Sequence, residues 1–542
     1  PLPPSPTPSP APTPTLTLPE APPPDGISET DFTIRYHPDG ALYVGDLVSF
    51  EIIAPQDVNL DAREVAITVD DTAGSGPGPA GFGRFGIGGR YQATLWWAWD
   101  TSGLEAGEHT LTFSITASTS TALSPGLSAG PDSLSWTETV TLLPISDYAF
   151  PEPDADWASI EIDCCVVYYI TGTETERDLE VLLTLADEQA ESAIERIDGE
   201  FTEPITVIFL PRLLGHGGFA GSEIYISYLD RNYAGNAPEQ VLHHEMVHIL
   251  DGRLGGNMRP TLFVEGLAVY LTGGHFKQEP LMERAAEVLD LDWYLPLDSL
   301  ADDFYPAQHE ISYLEAAALI EFMIETWGWE AFSDFYRDIH GHPSNLESAA
   351  INQALQRHFG LTFAELETQF LEALEALPDD PALEDDVRLT VTFYDTVRRY
   401  QQALDTSAYF LTAWLPDGPT MRERGIVADY LRHPAAPENI ALETLLVAAD
   451  ENIRAGQYAQ AETLLIAANA VLDAYDEGNP QPFYAHPLAA DYLAVVLAAL
   501  EQGYTPQIVR INENLAQVWA RLDGVGLVEL DIVRGDGGWE TQ

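Results

Sequence analysis

The sequence predicts a multidomain protein with an N-terminal β-sandwich, a central α+β domain and a mainly α-helical C-terminal region. Between residues 28 and 148, short segments alternate apolar and polar side chains and are separated by turn residues, the pattern of a sandwich. Between 155 and 380, strand-like segments come first and segments with helical apolar spacing follow. Residues 381–542 keep mainly the helical spacing.

The charge balance narrows the range of partners. The 542 residues carry 24 Lys and Arg against 86 Asp and Glu, a formal net charge of -62. Such a chain repels a phosphate backbone, which argues against nucleic acid as a partner, and it is disfavoured at an anionic membrane surface. The sequence contains no apolar run long enough for a membrane-spanning helix, so no transmembrane segment is expected.

Residues 1–27 form a proline-rich linker. Proline at this density favours extended polyproline II structure and prevents a packed core. Linkers of this kind hold domains away from a cell surface, and the chain starts at Pro1 without a methionine, so we expect an export signal or lipid anchor upstream. An extracellular or cell-surface location, with the linker as tether, is the prediction; a tail without a role is the alternative.

The segment from Trp97 to Thr110, WAWDTSGLEAGEHT, resembles a strand, turn and strand of bacterial immunoglobulin-like modules. The resemblance implies that the predicted sandwich over 28–148 is immunoglobulin-like. Trp96, Trp97 and Trp99 stand close together, and at least one of them is expected in the core, because aromatic strand residues usually pack. A sugar- or protein-binding platform is the alternative. The glycine-rich segment 74–89 fits no phosphate-binding pattern and is interpreted as a flexible loop.

Two further features concern packing. Cys164 and Cys165 are adjacent, and neighbouring cysteines bridge only with strain, so we interpret them as two small core residues, with a redox role as the alternative. The pattern from Gly456 to Ala468 resembles the middle of a tetratricopeptide-type hairpin, and a plain helical hairpin is an equal alternative. Residues 527–534 are expected to form a short strand before a polar tail.

One helix carries the chemistry. Residues 238–250 have helical spacing, and His244 and His248 lie one turn apart, so both imidazoles project from one face. This separation lets two nitrogens bind one zinc ion, and neutral imidazole is a preferred zinc ligand. Glu245 lies on the same side, where its carboxylate is placed to act as general base on zinc-bound water.

The segment LFVEGLAVY, from Leu262 to Tyr270, resembles the second signature of gluzincin peptidases, an E-G-x-A-x-Y helix. The resemblance implies that Glu265 is the third zinc ligand. Strand, helix, strand, Gly-Gly turn and the strand 224–226 precede the first motif, which is similar to the order in the peptidase MA-like group of gluzincins. That similarity implies an α+β peptidase domain over 155–380, in which 224–226 is the edge strand that lines the cleft and binds an extended peptide.

Further roles are expected around these ligands. Asp251, one turn after His248, is a candidate acceptor that orients a ligand imidazole, and a surface acid at a helix end is the alternative. The transition-state donor that stabilises the developing oxyanion is predicted to be Tyr313, with His309 and Tyr305 as rivals. His243 is not expected to bind the metal, because catalytic zinc keeps one position for water.

The resemblance implies a zinc metallopeptidase that hydrolyses proteins or peptides outside the cell. The alternative is a surface adhesion or scaffold protein that keeps the fold but has lost turnover. A purely structural zinc site is a third reading, but three ligands beside a glutamate form an open, catalytic arrangement.

Overall fold

The computed structural model describes residues 31–55, 58, 60–70, 72–73, 79–117, 133–148, 151–197, 201, 203–212, 217–229, 231–235, 237–254, 256–275, 277–522, 525–535 and 538–541. The predicted linker 1–27 and residues 74–78 of the predicted glycine-rich loop lie outside these ranges. For the described part of that segment the expectation of a flexible loop is wrong, because Ala80–Gly81 and Gly83–Phe85 form strands. None of the helices in the described ranges is long and apolar enough to cross a membrane.

The N-terminal region consists of two sheets packed face to face. One sheet has the strand order β1-β3-β8-β7; the other has β2-β10-β9-β4-β5, with β6 paired to β4. The strands are β1 (Thr33–His37), β2 (Leu42–Tyr43), β3 (Leu47–Ile53), β4 (Arg63–Val69), β5 (Thr72–Ala73), β6 (Ala80–Gly81), β7 (Gly83–Phe85), β8 (Arg90–Asp100), β9 (Gly107–Ala117) and β10 (Ser133–Leu143). Phe50 from one sheet and Phe113 from the other meet at 6.0 Å between ring centroids. The predicted β-rich region is therefore present, and its immunoglobulin-like character stays a prediction.

The central region begins with a five-stranded sheet of order β11-β12-β13-β15-β14. Its strands are β11 (Trp157–Glu161), β12 (Cys165–Ile170), β13 (Ile205–Leu210), β14 (Gly218–Ala220) and β15 (Ile224–Ser227). The expectation that 224–226 is the edge strand is wrong. Because β14 pairs antiparallel with β15 on the side away from β13, the edge position belongs to Gly218–Ala220.

The two cysteines also differ from expectation. Cys164 and Cys165 form a disulfide with each other. The prediction of two separate small core residues is wrong in this respect, although Cys165 is fully buried in the core beneath the sheet. The backbone N–H of Cys164 donates to the Asp187 carboxylate at 3.1 Å, and its carbonyl accepts from the Ile205 N–H at 3.0 Å, so the pair has a fixed place at the start of β12.

In the described part of this region, ten α-helices accompany the sheet. They are α1 (Glu174–Arg177), α2 (Leu179–Ile197), α3 (Pro238–Leu254), α4 (Thr261–Thr272), α5 (Leu281–Asp290), α6 (Leu297–Asp302), α7 (His309–Trp327), α8 (Trp329–Arg337), α9 (Glu347–His358) and α10 (Phe363–Glu375). Helix α3 packs against α2 and α4, and α4 packs against α7. Sheet and helices share one core, as the α+β pattern predicted.

The C-terminal region is helical only in its first part. Its helices are α11 (Pro381–Leu404), α12 (Gly418–Arg424), α13 (Ala428–Leu431), α14 (Pro437–Arg454), α15 (Tyr458–Asp476) and α16 (Pro487–Leu500). Four antiparallel strands follow in sequential order: β16 (Tyr504–Asn512), β17 (Leu515–Leu522), β18 (Gly526–Gly535) and β19 (Gly538–Thr541).

The expectation of a mainly helical region with one short terminal strand is therefore wrong for its last part. The sequence of β16 to β19 alternates apolar and polar residues and has one face buried against α14 and α16. Helices α14 and α15 do form a helical hairpin, and its relation to tetratricopeptide repeats stays a prediction.

A connector, residues 405–432, joins the N-terminal sandwich to the central sheet. Arg432 of the connector binds the buried Asp46 carboxylate of the sandwich through two nitrogens, at 2.7 and 2.8 Å. Met421 of the connector is fully buried against Ile208 of β13. Because a bidentate Arg–carboxylate pair is strong and geometrically specific, the connector fixes the sandwich against the central region.

The clustered tryptophans have separate places. Trp99 lies in the sandwich core with 2% exposure, as expected for at least one of them. Trp96 stacks on Trp414 of the connector at 4.5 Å, and the guanidinium of Arg424 lies 5.2 Å from the centre of the Trp97 ring. These contacts occupy Trp96 and Trp97 at the junction with the connector, so the platform interpretation is not supported.

Gly266 is expected to be essential for the packing of α4 on α7. A Cβ atom at this position would lie 2.6 Å from the Ala316 carbonyl oxygen of α7. Alanine elsewhere in a helix stabilises by about 1 kcal/mol relative to glycine. Here the overlap should reverse the sign, and we expect Gly266→Ala to lower the free energy of unfolding by about 1–3 kcal/mol in urea denaturation. Gly341→Ala, where a Cβ meets open space, is the matched control. Equal stability of both variants would contradict this account of the packing.

Candidate metal centre and active-site cleft

Helix α3 presents the histidines to the cleft because its opposite face is anchored. Leu242, Met246 and Leu250 recur every fourth residue and are essentially fully buried. His244 and His248 are offset from them by two residues, roughly half a turn, so their rings point away from the core. The apolar spacing thus fixes the rotation of the helix and with it the direction of both imidazoles.

Helix α4 brings Glu265 to the same place. The helix starts after Pro260 and ends at Gly273, whose φ of 83° is the left-handed conformation that suits glycine. Glu265 is only 6% exposed and faces α3. The close approach of Gly266 to α7 holds this helix deep in the core, so the carboxylate approaches the imidazoles from the core side.

The three side chains meet at one point. The Nε2 atoms of His244 and His248 are 2.9 Å apart, and Glu265 Oε2 lies 3.3 and 3.4 Å from them. Among the described residues, these three side chains are the one group of at least three His, Cys, Asp or Glu residues whose ligand atoms lie close enough together to hold a metal ion.

The donor set fits zinc. Ligand atoms about 2.1 Å from a tetrahedral ion lie roughly 3.4 Å from each other, close to the separations of these three atoms. Glu265 Oε2 is buried and has no hydrogen-bond partner, and buried carboxylate oxygens are rarely left in that state. Two imidazoles and one carboxylate form the three-ligand arrangement of catalytic zinc sites.

The three ligand side chains have different protonation states. Burial lowers the pKa of His244 to about 4, so this imidazole is neutral at physiological pH. Burial alone would raise the pKa of Glu265, but the interactions with His248 and His244 hold it well below the usual range. The neutral His244 and the ionised Glu265 are in the states in which these groups bind metal. For His248, burial would lower the pKa, but the Glu265 carboxylate outweighs it and raises the pKa to about 9, so a bound metal would displace a proton from this imidazole.

Glu245 lies beside the ligands and under the edge strand. It is 6% exposed, and burial raises the pKa of its carboxyl to about 7. A Cβ at Gly218 would lie 2.5 Å from the Val241 side chain and 3.1 Å from the Glu245 carboxylate. Glycine at 218 therefore lets β14 cross closely above the carboxylate.

Two tyrosines on the far side of the cleft have different partners. The Tyr305 hydroxyl donates to Glu265 Oε1 at 2.8 Å, which leaves Oε2 directed at the histidines. Tyr313 is 6% exposed, and its ring centroid lies 6.3 Å from that of His244. Tyr305 is thus engaged with the metal-ligand carboxylate, whereas Tyr313 borders the space between the ligands and the cleft.

His275 is a cleft residue that sequence reasoning missed. Its Nδ1 lies 3.0 Å from the fully buried Glu310 carboxylate, and its ring stacks on Tyr313 at 4.4 Å between centroids. The signal was present in the sequence, since His275 directly follows the Gly273-Gly274 end of the second signature helix. The contact with Glu310 fixes the imidazole, which in turn positions the Tyr313 ring.

The remaining candidates lie around the site. Asp251 Oδ2 accepts hydrogen bonds from Arg259 at 2.8 Å and from the Tyr336 hydroxyl at 2.9 Å, and the charge of this carboxylate contributes to the raised pKa of His248. His243 interacts with Gln189, outside the ligand group. His309 is buried behind Tyr313, with ring centroids 4.6 Å apart.

The metal centre lies between two cavities. One has a volume of about 300 Å³ and is bordered by the connector and by the sandwich loop at Gly86 and Ile87. The other, of about 590 Å³, opens towards Arg259 and Glu203. Four residues line both cavities: Ala220, His248, Glu265 and Tyr305. The cleft thus continues on both sides of the ligands.

No family model matches the chain. No curated protein matches it either. Among solved structures, it is similar to yeast LTA4 hydrolase, with 12% identity and a TM-score of 0.32 over 82% of this chain and 91% of that one. It is also similar to a two-domain M1 zinc metallopeptidase, with 14% identity and a TM-score of 0.25 over 63% of this chain and 93% of that one.

An aminopeptidase N family protein from Idiomarina loihiensis is similar as well. It has 12% identity and a TM-score of 0.22 over 71% of this chain and 77% of that one. At these identities and scores the similarities carry no argument about function.

Replacement of a ligand tests the metal centre. Purified protein dialysed against buffer with trace zinc should hold one zinc ion per chain, measured by mass spectrometry of the metal. His244→Ala should lose this zinc, because two remaining ligands leave the ion mostly to water. The matched control is His340→Ala, since this side chain is 54% exposed and distant from the ligands. Stoichiometric zinc in His244→Ala would contradict the assigned centre.

Proposed function

We propose that this protein is a zinc-dependent peptidase that hydrolyses peptide bonds in extracellular proteins or peptides. One observation carries the proposal. The donor atoms of His244, His248 and Glu265 converge within 3.4 Å, and the buried Glu245 carboxylate lies beside them in an open cleft. Three ligands leave one coordination position for water or substrate, which a structural zinc site does not.

Zinc, when bound by these three ligands, polarises a carbonyl and acidifies water. The chain supplies the proton transfer. Glu245 has a pKa raised to about 7 by burial, so it can accept a proton from the attacking water and later deliver it to the leaving amine. An ordinary exposed glutamate, with its lower pKa, would be a weaker base in the first step.

The tyrosines divide two further tasks. Tyr305 orients the metal ligand, because its hydroxyl donates to the Glu265 oxygen that does not face the histidines. Tyr313 is the proposed donor to the oxyanion that forms when the carbonyl carbon becomes tetrahedral. Burial raises the pKa of Tyr313 well above its usual value, so its hydroxyl keeps its proton and can donate a hydrogen bond.

An extracellular setting is part of the proposal. The Cys164–Cys165 disulfide supports it, because disulfides persist in oxidising compartments and are rare where thiols are kept reduced. The proline-rich residues 1–27 are proposed as the tether to the cell surface.

Glu245→Gln is the direct test of the mechanism. The amide keeps the shape of the side chain but cannot accept the proton, so we expect hydrolysis of casein or a peptide library to fall by about 10²–10⁴-fold while zinc content is unchanged. Glu239→Gln, an exposed position on the same helix, is the control. Wild-type protein that binds zinc but cleaves nothing in a broad library would favour the inactive scaffold instead.

Tyr313→Phe tests the oxyanion donor. We expect kcat to fall by about 10²–10³-fold with little change in KM, because the hydrogen bond is made mainly in the transition state. Tyr305→Phe should instead weaken zinc binding by about 10–100-fold, because it removes the partner that orients the Glu265 ligand. Tyr484→Phe, at a position 73% exposed, is the control. If Tyr305→Phe lowers kcat at full zinc occupancy and Tyr313→Phe does not, the oxyanion donor is Tyr305 and not Tyr313.

A further inference from the structure

We infer that this peptidase cleaves bonds inside polypeptide chains rather than at their ends, and that an apolar substrate side chain next to the cleaved bond binds between Ile87 and Phe219. The inference rests on the proposed zinc-peptidase function and specifies its substrate: an extended, apolar segment of a longer chain.

The first step is the continuity of the cleft. The cavities of about 300 and 590 Å³ meet at the metal ligands, since His248 and Glu265 line both of them. A substrate carbonyl at the metal therefore has room for chain on its N-terminal and C-terminal sides. An enzyme restricted to chain ends needs only one of these spaces.

The second step is the edge strand, which runs along both cavities. Gly218 and Phe219 line the smaller one, Gly221 and Ser222 line the larger one, and Ala220 lines both. The strand thus crosses the metal centre in the direction that an extended substrate must take.

The backbone of this strand is oriented for pairing. Gly217 accepts a hydrogen bond from Ser227, and the Gly221 N–H donates to Glu223, so these positions face β15. In an antiparallel pair the hydrogen-bonded positions alternate, so Gly218 and Ala220 direct their main-chain groups away from β15. The Ala220 N–H donates to the Glu245 carboxylate, which leaves the N–H and C=O of Gly218 and the C=O of Ala220 for a substrate strand. An extended peptide can bind there by strand addition, which uses main-chain groups available anywhere along a chain and needs no free terminus.

The third step is the apolar wall of the smaller cavity. Ile87 is 48% exposed and Phe219 is 40% exposed, and both side chains line this cavity. Ile87 is held there by the glycines beside it. The Gly88 N–H donates to the Leu411 carbonyl at 2.7 Å, and a Cβ at Gly86 would lie 2.5 Å from the same oxygen. The sandwich loop is thus pressed onto the connector, and its one large apolar side chain is directed into the cleft.

The two cavities also differ in polarity. The larger one is bordered by the charged side chains of Glu203 and Arg259, which suit the polar groups and water around a continuing chain. In the smaller one, the carboxylates among the described lining residues are Glu245 and Glu265, which the proposed chemistry already uses. An apolar substrate side chain is therefore best accommodated on the Ile87 side of the metal.

Peptides with blocked ends test the inference. Internally quenched peptides of one sequence, with an apolar residue on each side of the central bond, are prepared with free termini and with acetylated and amidated termini. The zinc-loaded full-length protein should cleave both at internal bonds, with kcat/KM values of the same order of magnitude. Mass spectrometry of the products identifies the cleaved bond, and Glu245→Gln serves as the inactive control.

The outcomes separate the two levels of the proposal. Removal of single residues from free-ended peptides, with blocked peptides intact, would overturn the internal-cleavage inference and leave a zinc exopeptidase. Cleavage of neither set by zinc-loaded protein would overturn the proposed peptidase function and this inference together.

The apolar subsite has its own test. Ile87→Ser should lower kcat/KM for blocked peptides with Leu or Phe beside the cleaved bond by about tenfold, while peptides with Ala there change little. Ile145→Ser is the matched control, because Ile145 is 61% exposed in the same sandwich and does not line the cleft. An equal effect on both peptide classes, or none, would overturn the role of Ile87.

Discussion

The convergence of Glu265 with two imidazoles is the interaction on which the rest of the site depends. A buried carboxylate is unfavourable unless it is paired and hydrogen-bonded. Here one oxygen is satisfied by Tyr305 and the other is directed at the point shared by His244 and His248. The surrounding packing fixes the positions of these side chains. Helix α4 approaches α7 closely at Gly266, and the buried apolar face of α3 fixes the orientation of that helix about its own axis. Despite burial, the Glu265 carboxylate also raises the pKa of His248 to about 9, so this site attracts positive charge, either a proton on His248 or a metal ion that displaces it.

The site residues could be predicted because their signals are local. One helical turn separates His244 from His248, and Glu265 stands in a nine-residue signature, so each element carries its own information. The edge strand could not be assigned in the same way. Gly218–Ala220 is three residues long and contains no β-branched residue, and only its pairing with β15 makes it a strand. Its glycine reflects close packing on α3, a tertiary constraint that composition does not reveal.

Other misjudged features are also non-local. The final four strands have a local signal in their alternation of apolar and polar residues, but the helices that cover their buried face, α14 and α16, lie earlier in the chain. The cysteines bridge although adjacent, and their place at the start of β12 depends on partners such as Asp187, which lies 23 residues further along the chain. The strands of the sandwich are predicted correctly from the sequence. The position of its loop at Gly86 and Ile87 beside the cleft, however, depends on the connector, which lies more than 300 residues further along the chain. Sequence periodicity carries no information about such contacts.

A buried ion cluster links the cleft to the helices behind it. Arg284 is fully buried, with Glu279 at 3.0 Å, Asp386 at 2.9 Å and Glu310 at 3.7 Å. Glu310 also holds His275, whose ring stacks on Tyr313. Such a cluster adds little net stability, because desolvation offsets most of its Coulomb energy, but it penalises any displacement of its members. Helices α5, α7 and α11 are thereby fixed relative to one another. The stacked His275 ring thereby fixes the Tyr313 ring before substrate arrives, and the oxyanion role proposed for Tyr313 would need preorganisation of this kind.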